Sequence, residues 1–181
     1  MKELSLNILD ITENSVKARA TLIQISLEET ATTLAITVKD NGCGMSQETL
    51  LSVTDPFYTT RTTRKVGLGI PLFKFAAEQT GGKFDIKSTE ESASDNHGTE
   101  VYAFFNKDHI DFTPLGDIIS TLTTLIQGHP LTDFVFTHTT DKGSVSLDTR
   151  ELRGVLEDVP LDNFEVLSWI RGNLTEQYEV I

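Results

Sequence analysis

Asp40-Asn41-Gly42-Cys43-Gly44-Met45 sets a carboxylate beside two glycines spaced by one residue. The acid accepts hydrogen bonds, and the glycines let a flat or bulky ligand approach the main chain closely, so this stretch can floor a pocket. Earlier in the chain, Asn7, Asp10, Asn14 and Lys17 step by three and four, which places them on one helix face. Glu13 stands next to Asn14. An amide oxygen near carboxylates can hold a hard cation that keeps several waters, as magnesium does beside phosphates. Asp55 to Lys65 follows, with threonine hydroxyls and the cations Arg61, Arg64 and Lys65 suited to phosphate contact. Gly67-Leu68-Gly69 then opens a helix, where unpaired N–H groups and the positive dipole end favour an anion. Singly, these stretches also read as a tight turn, a solvated helix face and a solvated basic loop. Their fixed order argues for one site.

The elements that must position them follow from periodicity. Leu4, Ile8, Leu9, Ile11 and Val16 give residues 3–18 a helical period. Leu22 to Leu27 and Thr33 to Lys39 alternate as strands, joined by the polar Glu28 to Thr32, and form an antiparallel pair that delivers Asp40. The text after Met45 reads as loop. Leu72, Phe73, Ala76 and Ala77 make the apolar face of the helix opened by Gly69, with Pro71 in its first turn and Gly81-Gly82 at its end. Lys83 to Lys87 and Gly98 to Phe105 read as further strands around a polar, acidic loop.

Composition restricts the partners. A formal charge of −12 and a pI near 4.6 oppose non-specific nucleic-acid or anionic-lipid binding. No run of about eighteen apolar residues exists, and no signal-type apolar core opens the chain, so a soluble, cytoplasmic protein without membrane insertion is expected. Cys43 is the single cysteine, which excludes disulfides and multi-cysteine zinc sites within the chain.

Taken together the motifs resemble the GHKL superfamily, the ATP-binding fold of histidine kinases, gyrase-type topoisomerases, Hsp90, mismatch-repair ATPases and anti-sigma kinases. Glu13-Asn14 looks like its N box, Asp40 to Gly44 like D-x-G-x-G, Phe57 to Lys65 like the ATP lid, Gly67 to Gly69 like the second glycine box and Gly98-Thr99 like the final G-T element. The resemblance covers roughly residues 1–106. It implies an α+β fold, a two-layer α/β sandwich of the Bergerat type with a mixed, mostly antiparallel sheet and helices on one face. It further implies that Asn14 ligates magnesium and that Asp40 accepts a hydrogen bond from the adenine amino group, supported by Thr99. Gly42, Gly44, Gly67, Leu68 and Gly69 would surround the nucleotide, and Arg61, Arg64 and Lys65 are phosphate candidates. Hydrolysing branches carry a Glu one turn before the magnesium Asn; here that place holds Asp10. Asp10 and Glu13 are the candidate catalytic carboxylates. Asp10 is preferred, because Glu13 lies about 100° round the helix from Asn14. The upstream helical pair that carries the phospho-accepting histidine of histidine kinases is missing, so the acceptor is expected on a partner.

Residues 107–181 read as a small C-terminal α+β appendage, an expected interaction module without a catalytic constellation. Thr113-Pro114 is expected to cap a helix with Leu115, Ile118, Leu122 and Ile126 on one face, which either completes the core or forms a homodimer face. A hairpin across Asp141-Lys142-Gly143, a short helix near 150–156 and a longer one from Asn163 follow. His109, His129 and His138 are too scattered for a metal site or a triad, so structural or surface roles are expected. The expected function is an ATP- and magnesium-dependent regulatory kinase acting on a separate protein. The alternatives are a slow ATPase driving a conformational switch and a non-catalytic ATP-binding module.

Overall fold

The computed structural model describes residues 3–53 and 69–181. Helix α1 (Leu4–Lys17) precedes β1 (Leu22–Glu29), β2 (Thr33–Asp40) and α2 (Gln47–Val53). Helix α3 (Gly69–Gln79), β3 (Lys83–Thr89), β4 (Gly98–Asn106) and α4 (Ile118–Gly128) follow, then β5 (Asp133–Thr140), β6 (Gly143–Asp148), α5 (Thr149–Leu156) and α6 (Phe164–Tyr178). The strands form one six-stranded sheet in the order β3-β4-β2-β1-β5-β6. Among the described strands only β1 and β5 pair in parallel. The architecture is the mixed, mostly antiparallel α+β sheet expected above.

Strand alternation gives this sheet one apolar face. Ile86, Val101, Val38, Ile25, Phe136 and Leu147 stand side by side across all six strands. Leu4, Ile8 and Ile11 of α1, Phe73 and Ala77 of α3, Leu122, Leu125 and Ile126 of α4, and Ile170 and Leu174 of α6 close over it as one core. Burial of these side chains, the larger ones stabilising by about 1.5–3 kcal/mol each, holds the two layers together. The boundary drawn between 106 and 107 falls between strands of this sheet, since β5 and β6 extend it and α4 packs on α1.

Two local readings are corrected. Residues 47–53 form α2 rather than loop, a helix with no fully buried residue and therefore no apolar stripe to read. The helix expected from Thr113-Pro114 begins instead at Ile118, with Asp117 as its cap accepting from the Ser120 N–H. Gly116, at φ +77, is outside the helical region there, and a Cβ on it would meet the Glu3 side chain. The apolar face of α4 completes the core: Leu122, Leu125 and Ile126 are fully buried. The hairpin, the 149–156 helix and the helix capped by Asn163 form as expected.

His138 occupies a core position beside Leu27 and Val145. Both ring nitrogens are bonded, Nε2 to Glu29 Oε2 at 2.9 Å and Nδ1 to the Tyr178 hydroxyl at 2.8 Å, while Lys107 Nζ donates to Glu29 Oε1 at 2.6 Å. Burial lowers the His138 pKa from its ordinary 6.5, against the smaller raising effect of Glu29. Below 6.5 the unfolded chain therefore binds a proton that the folded chain does not, and stability falls with pH until the lowered folded value is reached. Thermal melts should show a shallower loss on acidification through this window for His138→Gln than for the native protein; parallel curves would contradict the assignment.

Candidate functional site

Asp40 ends β2 with its side chain on the buried face, just where β1 and β4 also terminate their pairing with it. Its carboxylate is held from three sides. Oδ1 accepts the backbone N–H of Gly42 at 2.8 Å and of Thr99 at 3.2 Å, and Oδ2 accepts the Ser15 hydroxyl at 2.6 Å. With 8% of its surface exposed, Asp40 is a desolvated acceptor whose orientation is fixed by bonds from α1, the glycine turn and β4. Oδ2 keeps a lone pair for one further donor.

Glycines make that geometry accessible. At Gly98, φ is +129, and a Cβ would lie 2.0 Å from the Asp40 carbonyl oxygen. Gly44, at φ +67, would bring a Cβ within 1.9 Å of the Thr89 carbonyl oxygen. The turn is tied down on both sides, with the Cys43 N–H donating to the Ala18 carbonyl and the Met45 N–H to the Ser88 hydroxyl.

In front of Asp40 lies a cavity of about 340 Å³. Ile11, Met45, Val53, Ile70 and Val101 give it apolar walls, and Asp40, Thr99 and Gly44 lie at its base. Asn14 and Lys17, one helical turn apart on α1, line it with an amide and an ammonium group. A flat heteroaromatic base with an amino donor fits this slot, its faces against aliphatic side chains and its edge toward an acceptor-only group. Among the described residues no cluster of three or more His, Cys, Asp or Glu side chains can hold a metal ion. The side-chain oxygen of Asn14 lines the cavity and is of the kind that can join phosphates and water around a hard cation.

The structure thus brings together Asn14, Asp40, Gly42, Gly44 and Thr99. Asp10 is exposed and lies against the start of α3, where a Cβ on Gly69 would approach its Cβ to 2.9 Å. Glu13 is not among the cavity residues, and its Oε1 is 2.7 Å from His129 Nε2. The Phe57 to Lys65 segment with Arg61, Arg64 and Lys65, and likewise Gly67 and Leu68, lie outside the described residues. Sequence reasoning missed Ser15, Ile70 and any role for Lys17. Lys17 lay on the polar stripe already noted, whereas Ser15 carried no signal apart from following Asn14.

Comparison with known proteins identifies the family and the fold. Residues 2–109 match the family described as histidine kinase-, DNA gyrase B-, and HSP90-like ATPase. Sporulation kinase C of Bacillus subtilis is 33% identical over 90 residues, covering 49% of this chain and 20% of that protein. Sensor histidine kinase YvrG of the same organism is 32% identical over 100 residues, 52% of this chain and 16% of that protein. The chain therefore spans a fifth or less of these relatives. Among solved structures, the Aquifex aeolicus MutL ATPase domain complexed with ADP superposes with a TM-score of 0.55 at 15% identity, over 87% of this chain and 70% of that one. The N-terminal domain of a DNA repair protein gives 0.57 at 18% identity, over 82% and 52%. Both share the fold. Because the family match takes in more than half of the sequence, the chain belongs to the histidine kinase-, DNA gyrase B- and HSP90-like ATPases.

Proposed function

We propose that this protein binds ATP with magnesium in the cavity before Asp40 and passes the γ-phosphate to a separate protein. The observation that carries the reading is the Asp40 carboxylate, fixed by Gly42, Thr99 and Ser15 at the base of an apolar slot that Asn14 also lines. Asp40 takes the adenine amino group, and the aliphatic walls hold the base. Asn14 provides the protein oxygen to magnesium, while Lys17 and the start of α3 lie on the side from which phosphates enter. Bound magnesium would supply charge neutralisation on the phosphates. Arg61, Arg64 and Lys65 are proposed as further phosphate contacts. Asp10, one turn before Asn14, is proposed as the group that orients a hydroxyl or water, and its short side chain favours transfer to a positioned acceptor over rapid hydrolysis.

The kinase relatives support transfer to a protein in preference to hydrolysis as the main outcome. Residues 1–106 are proposed as the nucleotide-binding part and 107–181 as the part that meets the partner. The charge of −12 favours a protein partner over nucleic acid. No described helix is long and apolar enough to cross a membrane, and we place the protein in the cytoplasm.

The test uses γ-labelled ATP, magnesium and cell extract as acceptor source. Transfer of label to a protein supports the kinase reading; free phosphate alone indicates a slow ATPase, and binding with neither indicates a nucleotide-dependent switch. Asn14→Ala should lower magnesium-dependent ATP affinity by about tenfold or more while sparing magnesium-free binding. An unchanged magnesium requirement would remove Asn14 as the ligand.

A further inference from the structure

Helix α1 carries both Asp10 and Asn14; its C-terminus is closed by the Ala18 and Arg19 N–H groups, yet its own sequence does little to fix its N-terminus. Its N-cap, Glu3, makes no side-chain capping bond. The 107–181 segment supplies the missing contacts. The Leu4 and Ser5 N–H groups donate to the carbonyls of Pro114 and Leu115 at 2.9 and 2.8 Å, satisfying first-turn donors that a helix leaves unpaired. Glu3 Oε2 accepts the Asp117 N–H at 3.3 Å, and the Thr121 hydroxyl donates to the Ser5 carbonyl at 3.4 Å. At the other end of the same helix, His129 caps the C-terminus of α4 and its Nε2 lies 2.7 Å from Glu13 Oε1.

That second clamp falls one residue from Asn14. Successive helical residues point about 100° apart, so holding Glu13 toward α4 leaves Asn14 facing the cavity. The pair is half-buried, with 24% of the His129 and 36% of the Glu13 side chain exposed. Helix α4 is anchored in the core through Leu122, Leu125 and Ile126, so His129 is presented from a rigid element and not from a loose loop. Helix α6 packs on α4 in turn, with Arg171 donating to the Ser120 and Thr123 hydroxyls.

We propose that His129 is a positioning residue for the magnesium–nucleotide site: through Glu13 it fixes the last turns of α1 and hence Asn14, so that the 107–181 segment sets magnesium affinity. The proposal rests on the reading that magnesium-bound ATP meets Asn14. It converts the C-terminal segment from a passive appendage into an input to the site. A ligand or protein that shifts α4 changes the magnesium requirement without touching the nucleotide.

The test is a magnesium titration of the binding of a fluorescent ATP analogue by the full chain, with a parallel measurement in chelator. His129→Ala should need roughly threefold to tenfold more magnesium for half-maximal binding, less than the roughly 10–100-fold cost of losing a group bonded directly to a metal ligand. Affinity in chelator should stay at the native value. His129→Gln, whose amide N–H reaches the same carboxylate, should return the midpoint to within about twofold of native, an expectation from its donor geometry. Glu13→Ala should reproduce the His129→Ala shift, and it serves as the test if His129→Ala does not fold. A native midpoint in the Ala variants, or an equal loss of binding in chelator, overturns the proposal. Native binding that ignores magnesium altogether removes the Asn14 reading, and this proposal with it.

Discussion

Asp40→Asn should weaken ATP binding by roughly 30- to 150-fold, about 2–3 kcal/mol, while leaving the protein folded. The carboxylate accepts on both oxygens, and its Oδ1 already takes the N–H groups of Gly42 and Thr99. An asparagine must keep its oxygen there, or two backbone donors face an amide N–H. Its nitrogen then stands at the Oδ2 position, where the Ser15 hydroxyl can turn round to accept, but the adenine amino group meets a donor. The loss therefore falls on the ligand rather than on the fold. Equilibrium binding of ATP, with a thermal melt on the same sample, separates the two. Native affinity in the variant would mean that the base does not meet Asp40.

Gly98→Ala carries the largest expected cost to the fold. The position combines φ +129 with a Cβ that would lie 2.0 Å from the Asp40 carbonyl oxygen, 2.8 Å from the carbonyl carbon and 3.0 Å from the Asn41 Cα. All three neighbours are backbone, so no side chain can rotate away. Strain at such a φ costs about 1–3 kcal/mol, and displacing packed backbone adds a comparable amount, for a total of about 3 kcal/mol or more. This is a large share of the roughly 5–15 kcal/mol that holds a domain of ordinary stability folded. Urea unfolding should show the loss, and any folded remainder should bind ATP poorly, because Thr99 moves away from Asp40. Gly172→Ala is the control: nothing lies within 4 Å of its added Cβ and it sits inside α6, so it should be neutral or slightly stabilising. If Gly98→Ala unfolds like the control, β4 does not need this close approach to β2.

What the sequence made legible was local. Alternation over 33–39 delivers Asp40 to a strand end, and the glycines at 42, 44 and 98 mark backbone approaches found in the fold. Hairpin β5–β6 and the Asn163 cap follow from turn and capping chemistry. Illegible were relations between distant residues. Nothing near Ser15 announces that its hydroxyl reaches Asp40, and nothing near Glu13 announces His129, 116 residues away. Pairing of β5 with β1 in parallel is equally non-local, and it turns a hairpin that looks detachable into part of the sheet that carries the site. His138 shows the same limit: as a lone histidine in an alternating strand it gives no sign of a buried position shared with Glu29 and Tyr178. Short α2 escaped because it buries no apolar stripe whose period could be read.

The central claim is that an adenine base is recognised by the fixed carboxylate of Asp40. It is tested most directly by measuring the binding of ATP and inosine triphosphate to the native protein, in the presence of magnesium. The two nucleotides share their phosphates and ribose, and differ where adenine offers an amino donor and hypoxanthine a carbonyl acceptor. An acceptor-only group held at that edge should prefer ATP by about tenfold or more. Equal affinity for both nucleotides, or no binding of either, would contradict the account.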